Sequence, residues 1–236
     1  MRVVGPDATR NLYLMSLRFR RSGTGKCECT ICGYVGRFKA YGVNPRYSAV
    51  CPRCASLERH RLFRLALDRL NLLSRSERVL HFAPEPCLKK IVQEASAYYR
   101  SADFVPDPDS LLLNIEKIDL PDHSVDVVIA NHVLEHVDDF AAFRELRRIL
   151  SDRGRMILSI PIIEGWATTY ENPSIKSEVE REIHFGQADH LRFYGRDFRD
   201  RVLSAGFSLE EFVANGPDAA KYALTRGDTI FICTKV

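Results

Sequence analysis

No stretch of this chain approaches the roughly 18 consecutive apolar residues that a membrane-spanning helix needs. Residues 1–21, MRVVGPDATRNLYLMSLRFRR, lack the uninterrupted apolar core of a signal peptide. The expectation is a soluble, cytoplasmic protein. An even cysteine count, the mark of a secreted disulfide framework, is missing too: there are seven cysteines, five of them within residues 27–54, which points to a metal site. Acidic residues are scarce at one end, since residues 1–75 carry 15 Lys/Arg against 4 Asp/Glu while the remainder carries 19 against 27. Such a basic end suits either a polyanion such as RNA or a solvated arginine-rich face. With 236 residues and 45% hydrophobic content, the chain fits one α/β domain plus a small module.

Cys29-x2-Cys32 and Cys51-x2-Cys54 have the spacing of a zinc ribbon. Two residues between thiolates let each pair turn back with backbone amides directed at sulfur, and two such turns give a tetrahedral four-sulfur Zn2+ site. Four thiolates leave no open position, so the metal is expected to be structural. Cys27 is either a free thiol or a substitute ligand. Tyr34, Phe38, Tyr41 and Tyr47 interleave with Arg37, Lys39 and Arg46, an arrangement that could stack bases and hold phosphates or simply cover the ribbon. Residues 55–73 follow as an amphipathic helix with Ser56 as its cap. The divisions expected are an N-terminal segment at 1–20, the ribbon at 21–56, a linking helix at 57–75, and an α/β domain at 76–236.

From Arg78 onward, β-type runs alternate with helical patterns: strand 78–83, helix 87–96, strand 98–102, short strand 111–115, strand 125–130, helix 138–150 and strand 155–160. That alternation predicts a mostly parallel sheet with helices on both faces. Residues 207–213 and 229–236 read as two further strands at the sheet edge. The segment LPDHSVDVVIANHVLEHV (120–137) joins a buried strand to a histidine-bearing hinge, and ligands in open α/β sheets bind just beyond the carboxyl ends of strands.

Strand order, Asn114-Ile115 before LPDHSVD, NHVLEH after the fourth strand and GRMILSIP as the fifth together resemble the class I S-adenosylmethionine-dependent methyltransferase family over residues 78–236. CPRCASLERHR (51–61), HFAPE (81–85) and HFGQADHLRFYG (184–195) resemble a bacterial subset of that family with a preceding cysteine module. The resemblance implies a Rossmann-like, seven-stranded, mostly parallel sheet with an antiparallel C-terminal strand, and S-adenosylmethionine as cofactor. It implies that the methionine end lies near His81, Ala83 and Glu85, that Asp103 receives the ribose hydroxyls, that Asn114 and Ile115 face adenine, and that Asn131 closes the pocket. One departure stands out: HFAPEPC contains no glycine, although glycine is what normally lets this turn take positive φ. Prolines could pre-set the turn instead, and Glu85 could hold the cofactor's ammonium.

Methyl transfer asks the protein for orientation and, where the acceptor must lose a proton, for a base. Residues 161–195 are too long for a simple connection and read as a lid. His132, with His190 or His184 from that lid, is the candidate base or acceptor-binding group. Gln187, Asp189, Arg192 and Tyr194 are candidate acceptor contacts, with Arg192 suited to an acidic one. His132-x2-Glu135-His136 also spells an inverted zinc-protease motif, which the sheet order opposes. Glu135 and His136 are expected to cap and pack the following helix, or with His132 to bind an assisting metal. The acceptor implied is a small molecule or glycan, with RNA and a non-catalytic binding role as alternatives.

Overall fold

The structure, a computed structural model, describes residues 15–17, 20–42, 44–105 and 108–236. Most of the expected N-terminal segment 1–20 therefore lies outside the described residues. Among those described, no helix is long and apolar enough to cross a membrane. The chain divides into two compact units, 1–72 with 213–228, and 73–212 with 229–236. The expected division kept 213–228 with the α/β domain; the structure groups it with the cysteine module.

In the first unit, β1 (Cys27–Glu28) pairs antiparallel with β2 (Val35–Gly36), and β3 (Lys39–Tyr41) with β4 (Arg46–Val50). Each Cys-x2-Cys turn is closed the same way. Gly33 donates its N–H to the Cys29 carbonyl and Ala55 donates to the Cys51 carbonyl, both at 2.9 Å. Both residues sit at positive φ, +68° and +62°. Ala55 holds this conformation despite its Cβ, at a cost of about 1–2 kcal/mol.

Helix α1 (Glu58–Leu70) begins without the predicted Ser56 cap. Leu57 is the N-cap, and the His60 Nδ1 accepts its backbone N–H at 3.1 Å. Ser56 is diverted to the cysteines, its Oγ lying 3.3 Å from Cys29 Sγ and 3.2 Å from Cys54 Sγ. Arg61, on the first turn of this helix, is fully buried. Its guanidinium donates to the carbonyls of Ala49, Ser56, Tyr222 and Ala223 and stacks 4.7 Å from the Phe38 ring centroid. Two of those carbonyls close the short helix Gly216–Tyr222, whose free C-terminal carbonyls favour a cation.

The second unit is a seven-stranded sheet. Its strands are β5 (Arg78–Phe82), β6 (Tyr98–Asp103), β7 (Leu111–Leu112), β8 (Val125–Asn131), β9 (Leu150–Ser159), then, after a small pair β10 (Tyr170–Glu171) and β11 (Arg192–Phe193), β12 (Phe207–Val213) and β13 (Thr229–Lys235). The order across the sheet is β12-β13-β9-β8-β5-β6-β7. From β9 to β7 all neighbours are parallel, and β13 runs antiparallel to β9. The Rossmann-like sheet expected from the sequence is the one observed. Helices α2 (Pro86–Ala95), α3 (Asp139–Ile149), α4 (Glu178–Phe185) and α5 (Phe198–Ser204) accompany it, and the C-terminal helix named above is α6.

Val127, Val128, Ile129 and Ala130 are all inaccessible, as expected of a central strand covered on both faces. Burying each such Val or Ile contributes roughly 1.5–3 kcal/mol. Residues 152–154, between the expected helix 138–150 and strand 155–160, lie within β9, whose register against β8 shifts between Val125 and Val127. The hinge expected after β8 precedes the helix. HVLEH is not on an α-helix: His132 takes φ +53°, Leu134–His136 forms a single 3-10 turn, and α3 starts only after Asp138, whose carboxylate accepts the Ala141 N–H at 3.0 Å.

Candidate active site

The four cysteines of the first unit converge as their spacing requires. Cys29 and Cys54 sulfurs lie 3.6 Å apart, as do those of Cys32 and Cys51, and all four fall within 4.8 Å of one another. A tetrahedral site with Zn–S bonds of about 2.3 Å has sulfur separations of about 3.8 Å, so the donors are nearly in place for the metal, and far from the roughly 2 Å of a disulfide. Burial and the neighbouring thiols push the Cys32 thiol up to about 11, a proton that a dication would displace. Cys27 is buried in β1 and stands outside this cluster.

In the second unit, the carboxyl ends of β5, β6 and β8 bring most of the implied cofactor residues to one edge. Ala83 takes φ +43° while its N–H bonds the Ala102 carbonyl at 2.8 Å. The turn thus reaches a glycine-like conformation without glycine. Glu85 is the N-cap of α2, followed by Pro86. His81 is fully buried on β5, its Nδ1 3.5 Å from the Tyr99 hydroxyl and its Nε2 without a hydrogen bond. Burial, only partly offset by the Glu85 carboxylate, pulls its pKa down to about 4. Asp103 ends β6 and accepts the Val105 N–H. Beside it a cleft of about 730 Å³ is lined by Pro84, Pro86, Lys89, Asp103 and Ser110.

Asn131, at the end of β8, is 5% exposed, and neither its Oδ1 nor its Nδ2 has a partner. An amide left so would cost a few kcal/mol, which marks the position as one completed by a ligand. Asn114 is less available, because its Oδ1 caps the Glu116 N–H at 2.8 Å, and Ile115 lies in the hydrophobic core.

His132 and Glu135 form a dyad at 3.2 Å between Nδ1 and Oε1. Glu135 is 1% exposed; its Oε2, like the His132 Nε2, is buried and unpartnered. Glu135 therefore does not cap α3, as the sequence had suggested. Nor does His136: its Nδ1 meets the Asp189 carboxylate at 3.2 Å, and its ring stands edge-on to His190 at 4.7 Å between centroids. His190 is buried, with Nδ1 3.2 Å from the Phe185 carbonyl, and burial together with His136 lowers its pKa.

Other lid residues are committed elsewhere. Arg192 and Tyr194, expected to contact the acceptor, instead build an anchor. Arg192 pairs with Glu171 at 2.8 Å and donates to the Leu134 and Val137 carbonyls. Tyr194, wholly inaccessible, donates to the Asp139 carboxylate at 2.9 Å, and Arg201 pairs with both Asp139 and Glu171. This network fastens residues 171–194 to the loop after β8. His184 bonds Tyr170 at 2.7 Å on the exposed side of α4, and Gln187 is exposed. The sequence carried one usable sign of the buried arginine: Leu57, Arg61 and Leu65 share a helical face. It carried none of the pairing of His136 with Asp189 and His190, more than fifty positions away.

Residues 72–158 match the family model described as "Methyltransferase domain". The S-adenosylmethionine-dependent methyltransferase from Mesorhizobium loti is similar in fold, at 15% identity and a TM-score of 0.53 over 74% of this chain and 98% of that one. A second solved structure, the 1,6-didemethyltoxoflavin-N1-methyltransferase of Burkholderia thailandensis with bound S-adenosylhomocysteine, matches at 14% identity and a TM-score of 0.46 over 73% and 75% of the two chains. No curated protein matches the chain in sequence. Residues 72–158 are thus similar to a methyltransferase domain, and the α/β unit has a fold like that of the Mesorhizobium loti enzyme.

Proposed function

We propose that this chain methylates a small-molecule or glycan acceptor, holding S-adenosylmethionine at the carboxyl ends of β5, β6 and β8 and a structural zinc ion on Cys29, Cys32, Cys51 and Cys54. The observation that carries the reading is the buried amide of Asn131, which has no partner for either polar atom. When bound, the cofactor supplies an activated methyl group on a sulfonium. Asp103 accepts from the ribose hydroxyls, Asn131 satisfies its amide on the cofactor, and Asn114 and Ile115 flank adenine. His81, Ala83 and Glu85 shape the methionine end, Glu85 countering the ammonium.

His132 is the group best suited to deprotonate the acceptor. Glu135 accepts from Nδ1–H, which fixes the tautomer and leaves the Nε2 lone pair to take a proton. Neither His184 nor His190 is so arranged. A small acceptor is favoured over RNA because Arg46 is held by Glu58 at 3.0 Å and Arg53 by the Cys32 carbonyl, leaving less basic surface for phosphates than the sequence suggested.

The test is calorimetric titration of the zinc-loaded protein with S-adenosylmethionine. Asn131→Ala should weaken binding about 10- to 100-fold, roughly 1.4–2.7 kcal/mol, without lowering the melting temperature, since the lost group has no protein partner. No binding by the folded wild type would sink the reading.

A further inference from the structure

We propose a second metal site in this chain, in which Glu135, His136 and His190 bind a first-row divalent cation of the Zn2+ type. One donor atom from each of the three lies within 4.8 Å of the others. A tetrahedral site with bonds of about 2.05 Å has edges of about 3.3 Å, so the side-chain tips need to close by up to about 1.5 Å. The three residues come from the loop after β8 and from the lid, segments joined by the Leu191 N–H bonding the Glu135 carbonyl at 2.8 Å.

What distinguishes this cluster from a chance meeting of polar groups is that each ligand already has its outer support. Metal-binding histidines usually give their second N–H to a carbonyl or carboxylate, which sets the ring and the tautomer. His190 does so to the Phe185 carbonyl at 3.2 Å, and His136 to the Asp189 carboxylate at 3.2 Å. Both rings are thereby left with Nε2 as the coordinating lone pair. Glu135 uses Oε1 on His132 and keeps Oε2 buried and unpartnered, an acceptor in want of a cation. Two imidazoles and one carboxylate suit zinc or ferrous iron, and three protein ligands leave a position open. His136 is partly exposed and Asp189 largely so, which gives an ion its way in.

The site stands opposite in kind to the ribbon, where four sulfurs close the coordination shell. A further role, holding an acceptor oxygen in the open position beside His132, rests on the proposed methyl transfer; the metal stoichiometry tests the site apart from it. The full chain is loaded with Zn2+, freed of excess by gel filtration and assayed for metal by mass spectrometry. Wild type should retain two zinc ions per chain, and His136→Ala and Glu135→Gln one each, with unchanged circular dichroism. Co2+ loading should give a sulfur charge-transfer band from the ribbon and a separate, weaker ligand-field component that the two variants lose. His136 is partly exposed, so His136→Ala keeps the test readable even where Glu135→Gln is unstable. One zinc per chain in wild type, or two retained in both variants, would overturn the proposal.

Discussion

The thiolate cluster of the first unit and the carboxyl edge of the sheet in the second are built by opposite means. The cluster draws its ligands from two tight turns, with both pairs inside 26 residues, and every sulfur faces another sulfur. The sheet edge gathers side chains from the ends of three strands and from a lid that returns more than fifty residues later. It leaves Asn131, His132, Glu135 and His81 with polar atoms unsatisfied. A closed set of donors serves stability. An open set waits for something to bind.

Breaking the closed site should have the largest effect. Cys51→Ser removes a fully buried ligand, and because zinc binding in such modules is worth on the order of 10 kcal/mol of folding free energy, the first unit should lose its metal and its structure together. Metal analysis alongside limited proteolysis checks this; a zinc-bound, protease-resistant variant would contradict it. Arg61→Met comes next, since it leaves four carbonyls without their donor; each buried acceptor left unsatisfied costs about 1–3 kcal/mol, so a loss of at least about 3 kcal/mol is expected in urea unfolding. A loss under about 1 kcal/mol would show that the stack on Phe38, rather than the carbonyl bonds, is what matters.

The third prediction concerns the open site and pH. His81 has a folded pKa of about 4, below the usual 6.5, so between these values the unfolded chain takes up a proton that the folded one refuses. Its contribution is complete above about pH 6.5 and is lost as pH falls toward 4, amounting in total to about 3 kcal/mol. Chemical denaturation from pH 7 down to pH 5 should show the slope, and His81→Phe should flatten it; an equal slope in the variant would assign the loss to other groups. The smallest effect sharpens the closed site. Ala55→Gly relieves a Cβ held at φ +62°, worth about 1–2 kcal/mol, against about 0.5–1 kcal/mol of added unfolded-state entropy. A net gain of up to about 1.5 kcal/mol in stability is expected, and a loss would mean that the Cβ packs usefully.

Legibility followed the length scale of the interactions. The parallel sheet was readable because a strand covered on both faces must be continuously apolar, as Val127 to Ala130 are. Cysteine spacing carried its own geometry. The helix after β8 was legible at 138–150, where α3 runs from Asp139 to Ile149, but the path of HVLEH before it, with His132 at positive φ and a 3-10 turn, was not, because no local pattern specifies it. Arg192 and Tyr194 looked like ligand-binding groups because the sequence shows polarity but not partners. Asp139 and Glu171, which hold them, lie 55 and 21 residues away in the chain.

By itself the sequence determined the two-part composition, the four-thiolate site, the alternating strands and helices and the edge at which ligands should gather, since all of these rest on local spacing or on periodicity. Only the tertiary structure decided that 213–228 joins the cysteine module through the buried Arg61, and that Glu135 stands between His132 and the His136–His190 pair. The reason is the same in both cases. A buried charge is stable only where distant backbone or side-chain groups converge on it, and that convergence is a property of the fold rather than of any segment.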